Sequence, residues 1–503
     1  MKKTIFIIIA LILVLCTASC NVIITNPTTD TATGDVTTSP DGTDTDAETA
    51  EEKVYPHSNM ELAPLDEIIA TYEDTKFDVA TFKYFFMDEY TSFVSRYYYY
   101  LPSYGLDESV PLHDQVYPGD DTNTTWYQIF LNRGKNAFEQ YAKFAVMAQK
   151  EGISLDENEK AVVKDTLDSI ENAAKDSSMT FEEYMGQFMG EGMTRERVQK
   201  AIELMRLGYV YYEKIYNEPV YTEEQIDAEY KKGAGKYSLV DYYETSVVAL
   251  YDETDSDESA DAAKKAALEK AEKIKEALVS GKSFAEAAAS VEEPSEEEPA
   301  TDNDYLYEHA GYSDSEKYAF LYADGTKPGD VNVYTDEAGN AYVIQCVKAP
   351  YKDTSKTISV RHILLDSTAY EKEEDAYAQA QKLLEQINGA SDKKAEFIKL
   401  VAEYSTDSGS KSTGGLYERV SPGQMATEFN DWCFDEERKE GDTDIVKTSY
   451  GYHVMYFEGH GEELWYFNCD TALRDAEFTA KEQDIYETVV FTYNEELLDK
   501  IAK

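Results

Sequence analysis

Two histidines and one aspartate are the side chains best suited to chemistry, and they lie in one stretch of the C-terminal half. They are His362, Asp407 and His453, and the large apolar residues Met425 and Phe429 lie between the last two. Neither a Ser/His/Asp arrangement nor a His-x-x-x-His spacing accompanies them, so a protease or another hydrolase is not indicated. An apolar slot beside imidazole and carboxylate groups is suited to binding a neutral group and adjusting its electron density.

The segments around the two histidines are typical of strands. His362 lies in Val360–Leu365 and His453 lies in Tyr450–Met455, and helical patterns separate the two. We expect the two strands to be adjacent and central in one sheet. Met425 and Phe429 are four residues apart, which predicts that they share one face of a helix.

This strand-helix-helix-helix-strand pattern, with one histidine on each terminal strand, resembles the parvulin family of peptidyl-prolyl isomerases. The resemblance also rests on the runs Glu403–Ser410, Thr413–Gly415, Pro422–Met425 and Gly441–Asp442. It implies a catalytic site of His362, Asp407 and His453. It implies the substrate-binding residues Tyr417, Gln424, Met425, Phe429 and Phe434. Rotation about an X-Pro bond crosses a barrier of about 18–20 kcal/mol and moves no proton, so neither a metal nor a cofactor is implied.

One run departs from the family's pattern. Parvulins commonly have Gly-Gly-Asp-Leu-Gly before the pocket helix, whereas this chain has Gly414-Gly415-Leu416-Tyr417-Glu418. A tyrosine in the place of the leucine predicts a narrower slot or a changed preference for the residue before proline. The alternative interpretation is a catalytically weak or inactive holdase that clamps unfolded polypeptides. In that case His362 and His453 only organise the sheet.

The composition restricts the class of protein. The chain has 503 residues, which is enough for three or more domains. Its 47 basic and 99 acidic side chains leave a net charge of −52, which repels nucleic acid and favours basic segments of unfolded polypeptides. The five cysteines form no Cys-x-x-Cys or Cys/His metal spacing, so neither a zinc site nor a disulfide framework is predicted. The apolar surroundings of Cys346 and Cys433 predict buried thiols.

The N-terminal residues predict export and lipidation. Residues 1–20 have a charged start and a short apolar run, which is typical of a signal peptide. Thr17-Ala18-Ser19-Cys20 resembles a bacterial lipobox, although Thr17 stands where leucine is usual, and implies lipidation at Cys20. Residues 21–61 are rich in Thr, Asp and Ser, which predicts a disordered acidic tether. We expect the protein to be anchored to the outer face of the bacterial cell membrane.

The predicted fold class is α+β and multidomain, with antiparallel sheets flanked by helices. Residues 62–222 are predicted to be helical and resemble the chaperone domain of secreted foldases. Residues 223–350 look like a degenerate copy of the parvulin-like domain at 351–460. In this copy Lys327–Asp330 parallels Lys439–Asp442 and Gly339–Ile344 parallels Gly451–Met455, but both histidines are missing. By analogy with foldases, the tail at 461–503 is expected to pack on the chaperone domain.

The resulting hypothesis is a peptidyl-prolyl cis-trans isomerase and chaperone. Its partners would be unfolded or nascent exported polypeptides with X-Pro bonds and, through the lipid anchor, the membrane. No nucleic acid and no small-molecule cofactor is expected. A solute-binding lipoprotein is a third interpretation, but it predicts two α/β lobes, and the chain shows no run of βαβ repeats.

Overall fold

The computed structural model describes residues 56–119, 122–251, 256–291, 301–370, 372–407 and 409–503. The signal peptide, Cys20 and residues 21–55 of the predicted tether lie outside them. The chain divides into two compact units. Of the described residues, the first unit contains those up to 219, together with 407, 409–413 and 477–503, and the second contains those of 220–406 and 414–476. No helix in the described part of the chain is both long and apolar enough to cross a bilayer.

The first unit is built mainly from helices. They are α1 (Val79–Tyr97), α2 (Trp126–Lys150), α3 (Glu157–Asp176), α4 (Phe181–Met189) and α5 (Arg195–Asn217). Side chains fix where they begin: Asp78 caps α1, and Thr125 and Thr180 form capping boxes at α2 and α4. The apolar faces of α1, α2 and α5 meet in a core rich in aromatic side chains, including Phe82, Trp126, Phe130 and Phe138. Helices α3 and α4 pack with α1 and α5 in a second core.

The prediction of helices throughout residues 62–222 was wrong at the start of that range. Residues Ile68–Tyr72 form strand β1 and Thr75–Asp78 form strand β2, which pair in an antiparallel hairpin. Ile68 and Ile69 favour the extended backbone because β-branched side chains fit a pleated surface. Glu73 makes the turn with a φ of 51°. The residues before the hairpin are also structured, since the ring of His57 bonds Asp114 at 2.6 Å.

The C-terminal residues complete this unit. Strand β11 (Thr492–Tyr493) pairs with β1, so that the sheet order is β11-β1-β2. Val489, Phe491 and Leu498 are buried in the same core as the aromatic residues of the helices. A last short helix, α13, covers Glu495–Leu498. Residues 477–503 therefore pack within the first unit through backbone pairing and apolar burial.

The second unit contains two four-stranded antiparallel sheets. The first sheet domain consists of β3 (Ser238–Val247), α7 (Asp257–Val279), α8 (Phe284–Ala289), β4 (Leu306–Ala310), a 3₁₀ helix (Glu316–Tyr322), β5 (Val331–Thr335) and β6 (Ala341–Lys352). Helix α6 (Glu223–Lys232) precedes it. The strand order is β4-β3-β6-β5. Helices α7 and α8 pack on one face, and the 3₁₀ helix packs on the other through Leu321.

The second sheet domain repeats this architecture. It consists of β7 (Lys356–Asp366), α9 (Glu373–Gly389), α10 (Lys393–Tyr404), β8 (Leu416–Val420), α11 (Thr427–Cys433), β9 (Thr443–Thr448) and β10 (Gly451–Glu463). Helix α12 (Leu464–Thr488) follows. The order β8-β7-β10-β9 places the two histidine-bearing strands next to each other at the centre, as predicted. The edge strands β8 and β9 were not predicted. The α+β fold class with two antiparallel sheets is confirmed.

Candidate active site

The two histidines are in direct contact on the face of the sheet that α11 covers. Met455 pairs with His362, and Leu364 pairs with His453, so the histidines are diagonal neighbours on β7 and β10. Their Nδ1 atoms are 2.9 Å apart, and their rings are nearly parallel with centroids 5.2 Å apart. Both side chains are buried. One Nδ1 must donate and the other must accept, so the two rings cannot both be charged while this bond exists.

A hydroxyl group extends the pair on one side. Thr448 Oγ1 lies 2.8 Å from His453 Nε2, and it also accepts the backbone N–H of Tyr450 at 3.1 Å. When the hydroxyl donates to Nε2, the Nδ1–H of His453 donates to His362, and the reverse direction is equally consistent with the distances. The histidines therefore form a buried hydrogen-bonded row whose donor and acceptor roles can reverse together.

Aromatic side chains form the wall beside this row. The ring of Phe429 is edge-on to both imidazoles, at 5.5 Å from His362 and 5.4 Å from His453. The ring of Tyr417 lies 5.4 Å from that of His362. Met425 and Phe434 are partly buried against the same core cluster as Phe429. The structure thus brings together both histidines and four of the five predicted substrate-binding residues on one face of the sheet.

The prediction that Met425 and Phe429 lie on one helix was wrong. Helix α11 begins at Thr427, after Met425, because a turn precedes it. Gly423 has a φ of 81°, and Pro422 stands before it, a pair that favours a type II turn. Gln424 is exposed, and its side-chain oxygen accepts the N–H of Ser421 at 3.0 Å across this turn. A role of Gln424 in substrate binding stays a prediction.

Asp407 starts the loop 407–413, which belongs to the first compact unit, whereas both histidines belong to the second. Its carboxylate accepts the N–H of Ser410 at 3.1 Å and the Ser410 hydroxyl. The carboxylate thereby organises the start of its own loop. Its catalytic role beside the histidines stays a prediction. Just before it, the hydroxyl of Ser405 accepts the N–H of Leu364 at 3.2 Å and so supports β7.

A glycine pair and a buried ion pair hold the strand of His362, and sequence reasoning missed the ion pair. The carbonyl of Gly415 accepts the N–H of His362 at 2.9 Å. A Cβ on Gly415 would lie 2.4 Å from the His362 carbonyl, so only glycine allows this approach. Arg361 donates to the Gly414 carbonyl at 2.8 Å and is paired with Glu458. The sequence signal is the position of Arg361, a charged residue inside a predicted strand and next to His362, because such a residue needs a buried partner.

The cysteines of the two sheet domains are buried, as predicted. Burial raises the pKa of the Cys433 thiol to about 12. Burial also raises the pKa of the Cys346 thiol, and the nearby Asp330 carboxylate adds to the effect. Both thiols are therefore protonated and unreactive in the folded protein.

The fold and this face define a parvulin-type domain. Residues 344–459 match the family model of the PPIC-type PPIASE domain. "Foldase protein PrsA 1" of Listeria monocytogenes is 38% identical over 109 residues, which are 22% of this chain and 33% of the relative. "Chaperone SurA" of Hahella chejuensis is 24% identical over 307 residues, 58% of this chain and 66% of the relative. The chain thus spans about a third of the length of the PrsA relatives it matches.

One solved structure aligns with much of the chain at low similarity. The crystal structure of PrsA from Bacillus subtilis aligns over 75% of this chain and 93% of its own, with 13% identity and a TM-score of 0.29. A similarity this low transfers no residue role.

Proposed function

We propose that the protein is a peptidyl-prolyl cis-trans isomerase and chaperone that assists the folding of exported polypeptides. The observation that supports it best is the contact of Phe429 with both rings of the buried pair His362 and His453. An apolar wall beside polarisable hydrogen-bonding groups can bind a twisted imide better than either planar form, because the twisted nitrogen loses its conjugation. Asp407, Tyr417, Gln424, Met425 and Phe434 are proposed to complete the site.

The test is cis-to-trans isomerisation of X-Pro tetrapeptides by residues 21–503, beside an Asp407→Ala variant. We expect the parent to accelerate the reaction, with a different rate for different residues before proline. We expect the variant to lose this acceleration while its circular dichroism stays native. Equal rates in both would remove Asp407 from the site, and no acceleration by the parent for any peptide would contradict the isomerase.

One observation favours a holdase as the second candidate. The run Leu416-Tyr417-Glu418 occurs again as Leu306-Tyr307-Glu308 in the first sheet domain, which has no histidine pair. The same run in a domain without this chemistry suggests a binding role that does not depend on catalysis. A folded protein that suppresses client aggregation but never accelerates X-Pro rotation would establish this alternative.

We also propose that the protein is extracytoplasmic and lipid-anchored through Cys20, which the lipobox-like run Thr17–Cys20 supports. The domain division at 62–222, 223–350, 351–460 and 461–503 is part of the same proposal. Cys20→Ala is expected to abolish labelling with a fatty-acid analogue and to release the protein into the medium. Continued labelling of this variant would refute the anchor.

A further inference from the structure

The first unit contains a cleft that has no part in the proposed isomerase site. Its volume is about 830 Å³, within the range of protein sites that bind sizeable ligands. Strand β2, the loop after α2, and helices α3 and α5 provide its walls. The apolar part of its lining includes Phe77, Ile153, Leu155, Val163, Leu204 and Leu207. Of these, Ile153, Leu155 and Leu207 are only half-buried, so apolar surface is available to a ligand.

The lining of this cleft contains more basic than acidic residues, unlike the whole chain. Basic side chains number 47 and acidic side chains 99 in the chain. Five basic and two acidic residues line the cleft. The basic ones are Lys76, Lys160, Lys164, Arg195 and Lys200, and the acidic ones are Asp78 and Glu203. Carboxylates just outside the lining, those of Glu157, Asp168 and Glu171, pair with some of these groups. The cleft therefore offers basic donors whose carboxylate partners can be exchanged.

Four of the five basic groups already have carboxylate partners. Arg195 is held by Asp168 and Glu171, and Lys160 by Glu157. The pairs of Lys164 and Lys200 are the ones that a ligand can replace. Lys164 bonds Asp168 at 2.6 Å, and Lys200 lies 3.5 Å from Asp78. Lys164 and Lys200 are exposed, and surface ion pairs of this kind contribute only about 0–1 kcal/mol. Lys76 is exposed and forms no ion pair with any described residue. A carboxylate of a ligand can therefore approach these groups at little cost.

We infer that this cleft binds apolar segments of unfolded polypeptides that are flanked by Asp or Glu. This inference rests on the proposed chaperone function and names the client class of the first unit. The apolar lining takes the apolar side chains, and the basic rim takes the flanking carboxylates. The chain's own residues 30–52 carry eight acidic side chains but only one large apolar residue, Val36. Their charge complements the basic rim, but they lack the apolar side chains that the lining would bind. A segment of another polypeptide is therefore the better occupant.

The test uses three fluorescent peptides with the same Leu/Phe centre and flanks of Glu, Gln or Lys. Anisotropy titrations with residues 21–503 should show the tightest binding for the Glu peptide, and this preference should shrink as salt is added. Lys76→Glu/Lys164→Glu should weaken binding of the Glu peptide about tenfold or more at low salt. The control Lys175→Glu/Lys231→Glu changes the net charge equally at exposed lysines outside the lining and should bind like the parent.

Equal affinity for the three peptides, absence of binding, or unchanged binding by Lys76→Glu/Lys164→Glu would each overturn the inference. Tighter binding after neutralisation of Asp44, Asp46, Glu48, Glu51 and Glu52 would make that segment of the chain the occupant and would also overturn it. Isomerisation of X-Pro tetrapeptides is measured on the same variants and should not change. A failure of the isomerase proposal is thereby separated from a failure of the cleft.

Discussion

The two sheet domains of the second unit have one fold and two different sites. Their strand orders, β4-β3-β6-β5 and β8-β7-β10-β9, are equivalent. The same bond ties the turn before the last hairpin to the last strand in each: Gly329 donates its N–H to Cys346 at 2.7 Å, and Gly441 donates to Phe457 at 2.8 Å. These bonds fix which residues of the two domains are equivalent.

Counting from these bonds, Tyr342 occupies the position of His453. Glu244 occupies the position of His362, because the two pair with equivalent residues of the last strand. Tyr307 of β4 is in turn the equivalent of Tyr417 of β8. The first domain therefore keeps the tyrosine of the site and replaces both histidines.

A charged pair takes the place of the histidine row in the first domain. Lys317 of the 3₁₀ helix bonds Glu244 at 2.7 Å, and its Nζ lies 4.5 Å from the centre of the Tyr342 ring. The Tyr342 hydroxyl donates to Asp336 at 3.2 Å, where the complete domain has the bond between Thr448 and His453. The fold of both domains is therefore stabilised by the apolar layers on the two faces of the sheet. The polar residues at the position of the site can differ without a change of fold.

The largest expected effect comes from breaking the pair that distinguishes the first domain. Glu244 and Lys317 are 11% and 18% exposed. Glu244→Leu leaves Lys317 without its partner in a mostly buried place, which should cost the domain about 3 kcal/mol. Because the Cys346 thiol is buried, its alkylation requires opening of the domain and should accelerate about 10²-fold. The rate is followed by mass spectrometry of the Cys346 peptide.

The matched controls are in the same chain. Alkylation of Cys433 reports the second domain and should not change. The double variant Glu244→Leu/Lys317→Leu removes both charges and should restore most of the protection of Cys346. Unchanged protection of Cys346 in the single variant would mean that the charged pair does not stabilise the first domain.

The next effect concerns catalysis, which we expect only of the second domain because the first lacks both histidines. Phe429→Leu removes the ring that contacts both histidines but keeps an apolar side chain in α11. A reacting group that is misplaced by about 1 Å can lose about 10²-fold in rate, and we expect a fall in kcat/KM of this size. Leu321→Val is the corresponding conservative change on the 3₁₀ helix of the first domain and should leave kcat/KM as it is. A loss in both variants would show that the first domain contributes to turnover.

The sequence sufficed to predict features that depend on local pattern. The two central strands, and with them the positions of His362 and His453, follow from short apolar runs rich in β-branched residues, which a sheet covered on both faces favours. The place of Met425 did not follow, because a spacing of four residues cannot show that the turn at Pro422-Gly423 delays the start of the helix. The position of Arg361 inside a strand indicates that it has a buried partner, but no local pattern identifies that partner as Glu458, which is far away in sequence.

The alignment of the two domains was one residue out of register at the last strand. The parallel between Gly339–Ile344 and Gly451–Met455 placed Ala341 opposite His453, whereas the structure places Tyr342 there. Asp336 is the equivalent of Thr448 and Asn340 that of Gly451, so the first domain has one more residue between these positions. Asn340 bonds back to Asp336 across this turn. At the opposite edge, the repeated Leu-Tyr-Glu run is the sequence signal that aligns β4 of the first domain with β8 of the second.

A smaller effect tests the tyrosine that the two domains share. Tyr417→Leu restores the residue type that the parvulin pattern has and removes the aromatic ring beside His362. If the ring narrows the slot, kcat/KM should rise about tenfold for peptides with a large residue before proline, the usual size of a steric change in an apolar pocket. Tyr307→Leu in the first domain should not change it. A lower kcat/KM in Tyr417→Leu would instead show that the ring contributes to binding the substrate.

The smallest effect concerns the hydroxyl at the end of the histidine row. Thr448→Val keeps the shape of the side chain but removes the bond to His453 Nε2, whose loss costs roughly 1 kcal/mol. His453 then has one support fewer for its orientation, so kcat/KM should fall about fivefold, which is that energy expressed as a rate. Asp336→Asn changes the corresponding position of the first domain and should leave kcat/KM unaltered. If Thr448→Val retained full activity and Thr448→Ser did not differ from it, the row would serve only to hold β9 and β10 together. The two domains would then differ in their pocket residues alone.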